Sequence, residues 1–195
     1  MAGWVRPIRL SIDLHDALRR RKPERRQTRL TARRPSELTS VGDFAPSARA
    51  LLMPDTNVYI GAAAGTLPAR AQDLIERALL FHCSVCLGEL ATGIANANSS
   101  LASWPALCEH YVELFDSIPS TRLLNPDAQV WIDAGMVAGV LARTQGFQRH
   151  QRKECLNDAL IYLTAAKAGL PVLTADRNQF DLIQQLAPEG QFIHF

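Results

Sequence analysis

From Ala50 onward, apolar and polar positions switch between a strand-like and a helix-like rhythm. Ala50-Leu-Leu-Met53 is a short continuous apolar run closed by Pro54-Asp55, the pattern of a buried strand that delivers Asp55 at its carboxyl end. Across 67–81 the apolar residues Leu67, Ala71, Leu74, Ile75, Ala78 and Leu79 fall at helical spacing, with Pro68 suited to a first turn. His82-Cys-Ser-Val-Cys86 then reads as a second short strand, and Leu87 to Ala97 as a helix opening near Glu89. The middle of the chain predicts a helix near Leu107 to Phe115 and an extended run from Ile118 to Leu124. A long helix follows from Asp127 to about Thr144. Cys155 to Ala168 places Leu156, Ala159, Leu160, Leu163 and Ala166 on one broad face, with Asn157 as its cap and Gly169 as its end. Pro171 to Thr174 is the next strand, Asn178 to Leu186 a short helix, and Phe192 to Phe195 a last edge strand. This alternation predicts an α/β fold, a three-layer α/β/α sandwich around a mainly parallel sheet of about five strands.

The first fifty residues do not share that rhythm. They are expected to form a basic, mobile extension (1–50) to a single globular domain (51–195), with one short helix from Ser11 to Arg21 capped by Ser11 and stopped by Pro23. Charge divides at the same point. Residues 1–50 carry twelve Arg and Lys against five acids, a net of +7, whereas residues 51–195 carry nine against fourteen, a net of −5. A basic arm beside an acidic body can grip the phosphate backbone of a nucleic acid or lie on the body's own acids; the clustering of Arg19 to Lys22 and Arg25-Arg26 favours a polyanion.

No apolar run approaches the ~20 residues of a membrane span, and the Arg-rich opening lacks a secretory apolar core. A cytoplasmic protein is expected, with Cys83, Cys86, Cys108 and Cys155 as reduced thiols.

The acids that matter follow the predicted strands. Asp55 closes the first, Glu89 follows the second in the first turn of its helix, Asp158 opens the long apolar helix, and Asp176 lies just beyond Thr174. In a parallel α/β sheet, ligand sites form at the carboxyl ends of the strands. Four carboxylates converging there would raise one another's pKa, and a hard divalent cation with oxygen ligands is the usual compensation. Each acid taken singly could instead be a turn or a helix cap; their recurrence at successive strand ends favours one shared site.

Four ordered blocks carry a resemblance: Leu-Leu-Met-Pro-Asp55-Thr56-Asn57-Val-Tyr-Ile, Ser84-Val-Cys-Leu-Gly-Glu89-Leu, Asn157-Asp158-Ala-Leu-Ile161 and Thr174-Ala-Asp176-Arg-Asn-Gln-Phe180. Together they resemble the PIN-domain nucleases across residues 51–195. The resemblance implies that Asp55, Glu89, Asp158 and Asp176 are the catalytic carboxylates that hold one or two Mg2+ or Mn2+ ions. It further implies that Thr56, Asn57 and Thr174 orient ligands or water around them, and that the reaction is metal-assisted hydrolysis of RNA.

Within that family a VapC-like toxin is one branch, which would bring a cognate antitoxin as partner and allow a homodimer. An enzyme of RNA maturation or decay and a non-catalytic scaffold are the alternatives. A haloacid-type phosphatase needs a second Asp where this chain has Asn57. The stretch Arg149-His-Gln-Arg152-Lys153, expected in a surface loop, offers Arg149, Arg152 and Lys153 as RNA contacts. Tyr59 and Tyr162 are expected to pack in the core rather than stack on bases, and Cys83 and Cys86 to lie in an apolar strand rather than bind zinc.

Overall fold

The computed structural model describes residues 12–44 and 50–195. Among these residues six strands and eight α-helices follow one another in the order α1 (Leu14–Arg21), β1 (Leu51–Pro54), α2 (Thr56–Ala63), α3 (Ala69–Arg77), β2 (Leu79–Leu80), β3 (His82–Cys83), α4 (Ser84–Asn96), α5 (Trp104–Asp116), β4 (Leu123–Leu124), α6 (Ala128–Gln145), α7 (Arg149–Lys167), β5 (Pro171–Thr174), α8 (Arg177–Leu186) and β6 (Gln191–His194). A four-stranded sheet runs β2-β1-β5-β6, and β3 pairs with β4 beside it. Every pair is parallel, so all carboxyl ends of the main sheet lie along one edge.

Alternation along the strands divides the core into two layers. Leu52, Leu173 and Ile193 face Val58 and Leu74 of α2 and α3. Their neighbours Met53, Val172 and Phe192 face the other way, onto α6, α7 and α8 through Val137, Ile161, Phe180 and Ile183. Helices therefore cover both faces, as a parallel sheet buried on both sides requires. The chain leaves β1 across one face toward β2 and leaves β5 across the other toward β6. The crevice at the ends of β1 and β5 is thus the point where connections diverge, the usual ligand position in such sheets.

Several local expectations need revision. Thr56–Ala63, given no element by the pattern, is a helix whose N-cap Asp55 accepts from the Thr56 amide. The helix expected across 67–81 stops at Arg77, because Leu79–Leu80 leave it to pair with β1. The strand expected at 82–86 is only His82–Cys83, and Ser84 already begins α4. This puts Cys86 on a helix and Glu89 in its second turn. The largest revision is α7, which begins at Arg149, two turns before Cys155. A reciprocal cap between Gln148 and Gln151 opens it. The supposed loop 149–153 is therefore helical, Asn157 is no cap, and Asp158 sits in mid-helix, away from the favourable helix end. Of the expected five-stranded sheet, four strands form the main sheet and the short β3–β4 pair stands apart.

The N-terminal helix α1 is capped by Asp13, which accepts from the Asp16 amide, and ends at Lys22 in the left-handed conformation (φ 46). Ser11, proposed as the cap, lies outside the described residues. Where the composition predicts a mobile segment, residues 12–44 lie along the body. Arg21 is buried and donates from Nε to Asp133 at 3.0 Å and through its guanidinium to Glu189. Arg33 donates through its backbone amide (2.7 Å) and Nε (2.6 Å) to Asp181, which is fully buried. Beyond it, Ser40 bridges His194 of the edge strand, with His194 N donating to Thr39 O and Val41 N to His194 O.

Among the described residues no helix is long and apolar enough to cross a membrane.

Candidate metal centre

Because β1 and β5 are hydrogen-bonded neighbours, Asp55 and Thr174 meet at their ends. Asp55 is 3% exposed. Its Oδ1 accepts from the Thr56 amide at 2.7 Å, and its Oδ2 accepts from the Thr174 hydroxyl at 2.8 Å and from Asn57 Nδ2. Asn57 is itself held by the Ala175 amide, which donates to its Oδ1 at 3.0 Å. Thr174 Oγ1 in turn accepts from the Asp176 amide at 2.9 Å. The residues Thr56, Asn57 and Thr174 thus fix Asp55 and tie the two strand ends into one rigid corner.

Glu89 reaches the same corner from α4. Its two oxygens accept from the Thr56 hydroxyl and from Asn157 Nδ2, the latter at 2.8 Å. Sequence reasoning had no role for Asn157 beyond a cap; its signal was its place one residue before Asp158, on the helix that faces α4. Asp176 is exposed and caps α8, with Oδ1 accepting from the Gln179 amide at 3.0 Å. Asp158 is half-buried on α7 and receives no hydrogen bond from the described residues.

The electrostatics link these acids. Burial raises the Asp55 carboxyl; hydrogen bonds from Thr174 and Thr56 oppose this, the charges of Glu89 and Asp176 add to it, and the result is about 6. Asp158 is pushed well above the ordinary carboxyl range by burial first and then by the charges of Asp55, Glu89, Asp176 and Glu154. No Lys or Arg among the described residues forms an ion pair with Asp55, Glu89, Asp158 or Asp176.

The PIN-domain family matches residues 52–185, more than half of the chain and the whole of this corner. The chain belongs to the PIN-domain family. Solved structures of similar fold include FitAcB from Neisseria gonorrhoeae, with TM-score 0.54 and 19% identity over 74% of this chain and 96% of that one. DNA-bound VapBC from Salmonella typhimurium is similar at TM-score 0.50 and 20% identity, over 74% of this chain and 97% of that one. No curated protein matches the chain. At these identities the likeness shows the fold alone.

Whether this PIN corner suits a divalent cation is tested by its donors. Hard carboxylate oxygens with no cationic partner, mutually repulsive and partly buried, are the chemistry that Mg2+ or Mn2+ compensates. Among the described residues, however, no three Asp, Glu, His or Cys side chains stand together as a ready-made cage. Mg2+ retains several waters and takes only one or two carboxylates directly, so its binding does not require three of them in contact. Lone pairs remain for it: among the described residues Asp158 has no donor, and only one oxygen of Asp176 has one.

The remaining expectations fall as follows. Tyr59 and Tyr162 are buried, with Tyr59 Oη 2.8 Å from His82 Nδ1 and Tyr162 donating to Ala187 O at 3.1 Å. Cys83, Cys86, Cys108 and Cys155 are free thiols.

Proposed function

We propose that the chain is a metal-dependent endoribonuclease that hydrolyses RNA phosphodiester bonds with Mg2+ or Mn2+, and that Asp55, Glu89, Asp158 and Asp176 are its cation-binding acids. The observation that carries this reading is that the ends of β1 and β5, α4 and α7 bring acids to one corner, where Asp55 and Asp158 are raised by burial and then by the neighbouring acids' charges, and where none of the four acids has an ion-pair partner among the described residues. A bound divalent ion supplies Lewis-acid activation of the attacking water and neutralises charge at the phosphoryl and leaving oxygens. The chain's own part is positional. Thr56, Thr174 and Asn57 hold Asp55 in one orientation, and Thr56 and Asn157 hold Glu89. Asp158 and Asp176 keep acceptor capacity that would serve the cation and its water shell.

We read the enzyme as a toxin of the VapC-like branch, with its activity checked by a cognate antitoxin that covers the acidic crevice. Purified protein is expected to cleave single-stranded RNA with Mg2+ or Mn2+ and to stop on addition of EDTA. Asp55→Asn keeps the shape and removes one charge; it is expected to lower cleavage by about a thousandfold, roughly 4 kcal/mol of barrier, while circular dichroism stays native. Undiminished cleavage by Asp55→Asn overturns the assignment of the site. For the toxin branch, expression is expected to arrest growth of a bacterial host and Asp55→Asn to relieve the arrest.

A further inference from the structure

Beside the acidic corner, α4 and α7 enclose an open groove of about 550 Å³. One wall is the first half of α7, where His150, Lys153 and Asn157 recur at three- and four-residue intervals and so share a face. The other is α4, where Gly88 and Gly93 present no side chain, and a Cβ built on either would meet nothing within 4 Å; Thr92 lines it too, its hydroxyl donating to Gly88 O at 2.8 Å. Glu89 lies at the inner end, bonded to Asn157. Glu154 also lines the groove and stands one helical turn before Asp158. The α7 wall of the groove thus carries Lys153 and His150 beside Glu154, and Glu89 makes its inner end acidic. Neither His150 nor Lys153 makes a hydrogen bond or ion pair with the described residues, so both are available to a ligand. Arg152 turns the other way, donating from Nε to Phe147 O at 3.0 Å and lining a separate hollow against α6.

We propose that this groove is the path of the substrate: it holds the phosphate backbone of one RNA strand, with Lys153 and His150 on the phosphates outside the acidic corner. The proposal rests on the nuclease reading and adds to it where the strand lies. Bare glycines on one wall allow a sugar–phosphate chain to approach the helix backbone closely. Lys153 on the other supplies the salt-dependent part of affinity, and His150 a hydrogen-bonding group beside it. The next phosphate inward reaches the carboxylates, which cannot receive it without a divalent cation. Among the Arg and Lys that the basic stretch offers, the groove selects Lys153 and adds His150, a residue with no assigned role in the sequence pattern.

The test is binding of a fluorescent single-stranded RNA oligonucleotide to the full chain in the Asp55→Asn background with Mg2+, which removes cleavage from the measurement. Lys153→Glu is expected to raise Kd by about tenfold or more, and Lys153→Gln to flatten the salt dependence by about 0.7 log units per decade of salt, one phosphate contact on a single strand. Gly93→Leu fills open space on a helix and should fold at least as well as the parent; it is expected to weaken binding by about tenfold. Arg77→Gln, on the far layer, should change Kd by less than about twofold. Lys153→Glu indistinguishable from Arg77→Gln, Gly93→Leu without effect, or no RNA binding by the parent each overturns the proposal. Should the groove variants lose binding while the wild-type protein proves unable to cut RNA, the groove stands and the nuclease reading falls. If cutting is robust but no groove variant alters Kd, the groove falls and the nuclease reading stands.

Discussion

Asp133 and Asp181 are buried as deeply as Asp55, at 5% and 0% exposed against 3%, yet their surroundings are opposite. Asp133 on α6 accepts from Arg21 at 3.0 Å, Arg20 at 2.7 Å and Gln129 at 3.2 Å, and Asp181 on α8 is held by Arg33. Burial alone would raise Asp133, but hydrogen bonds from Arg20 and Gln129 and the charges of Arg21 and Arg20 outweigh it and hold the group below its usual range. Asp55 and Asp158 have no cationic partner among the described residues; the charges beside them are those of Glu89 and Asp176, with Glu154 added at Asp158, and both are pushed upward. In one small molecule, buried acids of the same kind are thus either neutralised by the chain itself or left for something from outside. The first group belongs to the architecture; the second carries the cost of a site.

That contrast can be broken most forcefully at Arg21. Arg21→Met leaves Asp133 with the half-exposed Arg20 as its one cation and Gln129 as a neutral donor, and removing one partner of a buried pair is expected to cost about 3 kcal/mol in urea unfolding. Adding Asp133→Leu should recover much of that loss, since a buried pair replaced by apolar groups is often close to neutral. A loss under about 1 kcal/mol for Arg21→Met would show that Arg20 alone suffices.

The site acids should respond to pH in the reverse sense. Unfolded Asp55 releases its proton near 3.8 and folded Asp55 near 6, so between these values the folded state binds more protons. Metal-free stability from this group is then fully present below about pH 4 and falls as pH rises to about 6, by roughly 3 kcal/mol at most. Asp55→Asn should flatten that slope, which thermal melts across the window would read. A smaller effect is expected at Asp158. Asp158→Asn relieves repulsion and should raise the metal-free Tm by about a few degrees, while the extra rise that Mg2+ gives the wild-type protein shrinks, because a ligand stabilises only through its binding to the folded state. Equal Mg2+ shifts in both proteins would exclude Asp158 from cation binding.

Much of the fold was legible because its signals are local. β1, β5 and α8 each announce themselves by an apolar run or a 3.6-residue stripe, and the acids at strand ends follow once the sheet is parallel. What escaped was local order without an apolar pattern. Thr56–Ala63 is apolar or small all round and lies where two core layers meet, so no stripe marks it as a helix. The first turns of α7, Arg-His-Gln-Arg-Lys-Glu, are polar on every face; they are helical because they continue a buried helix and carry a cap. The basic segment misled for a different reason. Its helix is capped and short, but what holds Arg21 and Arg33 is the pair of acids Asp133 and Asp181, 112 and 148 residues away, and no window along the chain reveals such partners.

The small bridge at Ser40 has a further consequence. A strand at the margin of a sheet offers unpaired amides and carbonyls to any other extended chain, and proteins avoid self-association by covering such margins. Here β6 is the outermost strand beside β5, and Thr39 and Val41 take up the amide and carbonyl of His194 on its open side. The N-terminal segment therefore acts as a selvedge as well as a source of counter-charge. Trimmed to the family's core, the protein would present that bare margin to its own copies, and its first failure on concentration would be aggregation through strand addition.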